Sequence, residues 1–143
     1  MCTKGTKSTK EIPTMTYAAI PQDVEIIARA CVDVGIHVHR QLGPGFREVI
    51  YSRAFCLELD AREIPFEYEK PLLVRYKHWH IPGQKIDLLV GGRVLVELKA
   101  VTKLRKIHVN QVLSYLKTTD LRLGLIMNFN TRVLRDGLKR VVL

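Results

Sequence analysis

Residues 85–99 read KIDLLVGGRVLVELK, an apolar run of Val, Leu and Ile that nevertheless carries Asp87, Glu97 and Lys99. Taking such groups out of water is costly unless they pair or hold a metal. On a strand, residues two apart share a face, so Glu97 and Lys99 project together while Val96 and Leu98 point the other way. Two carboxylates are the hard oxygen donors that suit Mg²⁺, which keeps several of its waters and takes few protein ligands. A lysine beside such a cation has its pKa lowered, and it can orient or deprotonate an attacking water. The plainer alternative is an edge hairpin whose charges pair with one another at the surface. Charged groups so placed are more often functional.

The elements that must position these groups start with the hairpin itself. In an antiparallel pair, directly opposed residues share a face. A two-residue Gly91-Gly92 turn would set Asp87 against Val96 and put the two carboxylates on opposite sides of the sheet. A three-residue connection, Gly91-Gly92-Arg93, sets Asp87 against Glu97 and Lys85 against Lys99. The glycines supply the left-handed conformation that such loops need. The spacing therefore predicts an odd-length loop, or a β-bulge that restores parity.

Upstream, Pro21-Gln22-Asp23 opens a helix with Asp23 as N-cap, and Val24, Ile27, Ala28, Cys31, Val34, Val38 and Leu42 recur as its core face. His37 and His39 diverge on that helix and read as packing or surface histidines. Gly43-Pro44-Gly45 breaks it. A second helix over about 46–62 carries Glu48 and Tyr51 on one face, three apart. Residues 66–76 turn to a β pattern with Pro71 marking an edge or a bulge. Lys77-His78-Trp79-His80 is a hairpin tip leading through Ile81-Pro82-Gly83 into the central strands, and a lone loop Trp more often caps a core edge than stacks on a base. After Lys99 comes the basic run Lys103, Arg105, Lys106 and His108, with a helix over about 107–118 on which Gln111 and Tyr115 share a face. Residues 123–129 and 139–143 read as two further strands. The order α-α-β-β-β-α-β-β predicts an α/β fold, a sheet sandwiched by helices.

Asp87 followed ten residues later by Glu97-Leu98-Lys99 resembles the D…ExK core of the PD-(D/E)xK nuclease superfamily. Gly45-Phe46-Arg47-Glu48-Val49-Ile50-Tyr51 resembles the GxxExxY signature of a small subfamily, and Gln111-Val112-Leu113-Ser114-Tyr115 the QxxxY element of the exonuclease-like branch. Ile86 stands where the superfamily's name would put Pro. The resemblance covers about residues 23–143. It implies a restriction-endonuclease-like core, a central mixed β-sheet flanked by helices, and hydrolysis of phosphodiester bonds with Mg²⁺ or Mn²⁺. By the same resemblance, Asp87, Glu97 and the backbone carbonyl of Leu98 are metal ligands, with Glu48 extending the acidic cluster directly or through a water. Lys99 acts on the attacking water or on phosphate charge. Gln111 and Tyr115 position the scissile phosphate or its neighbours, and Lys103, Arg105 and Lys106 follow the nucleic-acid backbone, DNA ahead of RNA. The alternative is a nucleic-acid-binding or regulatory module that keeps the fold without catalysis.

The formal charge of +9 on 143 residues agrees with a polyanionic partner, nucleic acid before an anionic membrane surface. No apolar run is long enough to span a bilayer, and the start of the chain lacks the apolar core of a signal peptide. Cys2, Cys31 and Cys56 have no metal-type spacing and cannot all pair internally, as expected of free thiols in a reducing cytoplasm. Residues 1–20 read as a flexible basic tail and 21–143 as one domain with a core of its own. A homo-oligomer is compatible with this reading.

Overall fold

The structure, a computed structural model, describes residues 19–143; most of the expected basic tail, residues 1–18, lies outside it, as does Cys2. Two helices, α1 (Gln22–Leu42) and α2 (Glu48–Ala61), precede three strands: β1 (Phe66–Tyr76), β2 (Trp79–Val90) and β3 (Val94–Lys99). Helix α3 (Lys106–Thr119) returns the chain to β4 (Leu123–Asn128), and a short 3-10 turn at Leu134–Gly137 leads into β5 (Leu138–Val142). The strands form one mixed sheet in the order β1-β2-β3-β4-β5. Only β3 and β4 run parallel, because α3 supplies the crossover that a parallel pair requires.

Each face of the sheet has its own apolar layer. On one side Val24, Cys31 and Val38 of α1 and Phe55 and Leu59 of α2 pack with Leu88, Val90, Val94, Val96 and Leu98. On the other, Val112, Tyr115 and Leu116 of α3 pack with Ile86, Leu89, Leu95 and Ile126. Central strands covered on both faces explain why β3 and β4 are almost uniformly apolar in sequence. The sheet and α3 approach closely at Gly124, where a Cβ would lie 2.6 Å from Cγ1 of Val112.

Several local expectations shift. Asp23 lies in the first turn of α1 instead of capping it; Pro21 occupies the N-cap, and Asp23 pairs with Arg93 across the fold. Pro71 marks both features it was read to signal, since β1 is the sheet edge and its register against β2 slips between Leu72 and Val74. Trp79 does not cap the core. It stands half-exposed at the first position of β2, opposite Tyr76. His39 is buried and bonds the Thr131 carbonyl at 2.8 Å, while His37 lies 3.6 Å from Glu58 on the surface. Cys31 and Cys56 are free thiols.

The Gly124 contact can be tested. Val112 is β-branched and stiff, so an added methyl must displace α3 and not merely a side chain. Gly124→Ala should destabilise the fold by roughly 1–3 kcal/mol, read as a lower denaturant midpoint at unchanged slope.

Candidate active site

The β2–β3 register pairs Val90 with Val94, Leu89 with Leu95 and Leu88 with Val96, so the connection is the odd-length Gly91-Gly92-Arg93. Gly91 and Gly92 take φ values of 61° and 68°, in the left-handed region where glycine is unstrained. The Arg93 amide closes the loop on the Val90 carbonyl at 3.1 Å. This parity brings Asp87 to Glu97. Beyond the Leu88–Val96 pair the backbone ladder stops, and the two side chains take its place. The Asp87 amide donates to Oε1 of Glu97 at 3.1 Å, and the Leu98 amide donates to Oδ2 of Asp87 at 3.0 Å. Each carboxylate thus spends one oxygen on the opposite strand. Oδ1 of Asp87 and Oε2 of Glu97 accept no backbone hydrogen bond from the described residues; Oε2 lies 3.9 Å from the Lys99 ammonium, and the two carboxyl groups are within hydrogen-bonding reach of each other.

The strands are irregular at this point. Leu88 and Val90 pack toward α1 and α2 and Leu89 toward α3, so strict alternation would turn Ile86 toward α1 and α2; instead it packs with the α3 layer. Across from Asp87, Glu69 of β1 has φ of 52° and drops out of the ladder between Tyr68 and Lys70. The register holds on either side, so this is a local backbone distortion, and such departures cluster at functional sites.

Around the carboxylate pair the helices bring the remaining groups. Lys99 Nζ donates to Oε1 of Gln111 on α3 at 3.2 Å. One turn on, the Tyr115 hydroxyl accepts a hydrogen bond from the Gln84 amide on β2. A cavity of about 460 Å³ opens between β1, β2 and α3, with Lys99, Gln111 and Tyr115 among its lining residues. Glu48 stands in the first turn of α2, close enough to Asp87 and Lys99 for both to act on its carboxyl. The buried Tyr51 holds that turn in place. Its hydroxyl donates to the Gly43 carbonyl at 2.6 Å and accepts from the Phe46 amide at 3.1 Å, and its ring stacks on Phe129 at 4.6 Å. Lys103, Arg105 and Lys106 lie exposed between β3 and the start of α3, without an ion pair among the described residues.

Burial raises the Glu97 carboxyl to about 8, helped by the negative charge of Asp87; Lys99 opposes this without cancelling it. Glu48 is also raised, first by desolvation and then by Asp87. Tyr115 is raised mainly by burial. The His108 ring, beside Lys99 and Arg105, is lowered by desolvation and by those two positive charges. A buried Glu97 beside a half-buried Asp87, each with one oxygen not taken by the opposing backbone, is a donor set that a divalent cation fits. Among the described residues no three Asp, Glu, His or Cys side chains converge, so Glu48 does not close on Asp87 and Glu97 as a third carboxylate.

Reading the sequence alone missed Gln84 and Asn128 here, and took His108 only as the end of the basic run. Gln84 lies in a Pro- and Gly-containing stretch with nothing to single it out. Asn128 exchanges two hydrogen bonds with the Val101 backbone, at 3.0 and 2.9 Å, and so fixes the chain just after Lys99. His108 accepts from the Arg105 amide at 2.9 Å at the start of α3. A polar Asn at the end of an otherwise apolar strand was the one available signal.

A family model of the PD-(D/E)XK nuclease superfamily matches residues 25–141, and the chain belongs to that superfamily. No curated protein and no solved structure shows significant similarity to it.

The raised Glu97 carboxyl has a stability consequence. Between the ordinary value of 4.5 and about 8 the folded chain binds more protons at Glu97 than the unfolded chain does. Stability from this group is therefore fully present below 4.5 and lost as pH rises through about 8. In EDTA the melting temperature should fall across that window. Glu97→Gln should flatten the decline, and equal slopes in the two proteins would exclude this origin.

Proposed function

We propose that the chain is a metal-dependent nuclease that hydrolyses phosphodiester bonds, DNA ahead of RNA. The observation that carries this is the Asp87–Glu97 pair, cross-bonded to the opposing backbone with one oxygen each not taken by it and with Lys99 beside the pair. The Gly45–Glu48–Tyr51 spacing supports kinship with the GxxExxY proteins in particular.

A bound Mg²⁺ or Mn²⁺ makes a coordinated water more acidic and neutralises charge that develops on the phosphate and the leaving oxygen. Asp87 and Glu97 would hold it, with the Leu98 carbonyl as a third donor and Glu48 contributing directly or through a water. Lys99, steadied by Gln111, orients or deprotonates the attacking water, or balances charge on the phosphate. The water oxygen bonds to phosphorus as the P–O bond to the leaving oxygen breaks. Gln111 and Tyr115 hold the phosphate or its neighbours in the cavity. Tyr51 is a positioning residue, acting through the loop that launches Glu48. The unpaired Lys103, Arg105 and Lys106 track the backbone on either side.

Cleavage of labelled DNA and RNA should require Mg²⁺ or Mn²⁺, stop in EDTA, and fail in Ca²⁺ although Ca²⁺ binds. Asp87→Ala and Glu97→Ala should lose both metal binding and activity. Lys99→Ala should lower the rate by about 10²–10⁴ while metal titrations stay close to wild type. Salt-dependent binding with no cleavage under any divalent metal would instead make the chain a non-catalytic binder.

Phosphate contacts by the basic run have a separate signature. Lys103→Ala with Arg105→Ala should reduce the slope of log affinity against log salt by roughly 1.5–2, leaving the single-turnover rate at saturation unchanged.

A further inference from the structure

Strands β1 and β2 span eleven and twelve residues, whereas β3 and β4 have six each. Their outer ends therefore form an arm that pairs only with itself: Val74 with Ile81, Arg75 with His80 and Tyr76 with Trp79. Directly opposed residues share a face, and so do residues two apart. Val74, Tyr76, Trp79 and Ile81 therefore line one face of the arm. They are 39%, 56%, 54% and 49% exposed. Folding gives no reason to display four large apolar side chains side by side on water.

Their arrangement is ordered and partly cationic. The Tyr76 and Trp79 rings lie 18° from parallel with centroids 6.3 Å apart, and His78 packs on Trp79 at 3.8 Å. Lys77 Nζ stands 5.5 Å from the Tyr76 ring, and Arg75 Nε ties the tip by donating to the Lys77 carbonyl at 2.9 Å. The aromatic face also runs into the candidate site. Val74 lines the same cavity of about 460 Å³ as Lys99, Gln111 and Tyr115, with Leu72 and Ile107 as further apolar walls. A phosphate held at Lys99 and Gln111 would thus have an apolar cleft beside it, and beyond that a stacking platform.

We infer that the β1–β2 arm and its cleft against α3 take unstacked nucleobases, so that this site acts on single-stranded nucleic acid or frayed ends and not on intact duplex. The inference rests on the reading of the Asp87–Glu97 site as phosphodiester-binding, and it names that site's substrate class. In a duplex the base faces are already occupied by their neighbours. In a single strand they are free, and an aromatic platform with basic residues is the chemistry that binds them without sequence preference. The positive charge of the chain favours such a partner over an apolar one.

Trp79 is the sole tryptophan, so the arm carries its own reporter. In EDTA, where no cleavage occurs, a 12-nucleotide oligothymidylate should quench Trp79 fluorescence, and a blunt duplex of the same length should not. Tyr76→Ala with Trp79→Ala, at exposed tip positions, should weaken single-strand binding by anisotropy about tenfold or more and leave duplex binding unchanged; Trp79→Phe should restore most of the loss. Equal single-strand affinity in wild type and double variant would overturn the inference. So would wild-type protein that light scattering shows to be a dimer dissolved by the double variant, with no quenching by the oligonucleotide, since the face would then belong to a second copy. The outcomes separate from those of the nuclease reading. Quenching without cleavage in any metal leaves the arm as a single-strand binder, whereas cleavage without quenching or single-strand preference leaves the nuclease and removes the arm.

Discussion

Glu97 is 3% exposed, at the end of a strand whose neighbours are apolar, and it shares that place with Asp87. Out of water and beside a second negative charge, the Glu97 carboxyl is held up at about 8 by its burial and by Asp87. The fold tolerates them because each carboxylate stands in for a missing backbone hydrogen bond at the point where β2 and β3 part. Everything else in the site depends on that substitution. It ends the backbone ladder after Leu88 and Val96, leaves one oxygen of each carboxylate without a backbone donor, and sets Lys99 beside Glu97 with Gln111 to steady it.

The helices serve this opening in different ways. Helix α3 lies on the sheet at a distance set by Gly124 and Val112, and this brings Gln111 over Lys99 and Tyr115 to Gln84. Helix α2 reaches the other side through its first turn alone. The Gly43-Pro44-Gly45 break has no regular hydrogen bonding of its own to stiffen it, so Tyr51 supplies two bonds from below and anchors itself on Phe129. In this chain the Glu48–Tyr51 spacing is therefore physical. Glu48 stands within electrostatic reach of Asp87 and Lys99, and the tyrosine one turn later holds the loop that precedes it.

Stability and function are divided within the sheet. Beneath both helical layers β3 and β4 are sealed and apolar, as strands covered on both faces must be. At the far edge β1 and β2 outrun their neighbours and keep aromatic side chains in water. The arm begins where β2 leaves β3 after Leu88, and the register slip between Leu72 and Val74 falls within it.

Much of this was legible in the sequence, because the patterns concerned are local. Periodicities of two and three to four placed most elements to within a residue or two, β2 excepted, which starts at Trp79 inside the expected tip and lead-in; the glycine pair dictated an odd loop once Asp87 and Glu97 had to meet, and the spacing of Glu48, Gln111 and Tyr115 put each on one helix face. The sequence also contained the charge imbalance that points to a polyanion. What it could not show is which distant groups would meet. Gln84 looks like any polar residue until the sheet curls it under Tyr115, and Asn128 is one asparagine among several until it clasps Val101. Asp23 carries every mark of an N-cap yet is drawn off to Arg93, some seventy positions away. Trp79 likewise could be a core plug or a platform, and only the length of β2 beyond β3 decides between them. Local propensity is written in neighbouring residues, whereas partners brought together by tertiary packing are chosen by geometry, and no spacing along the chain records that choice.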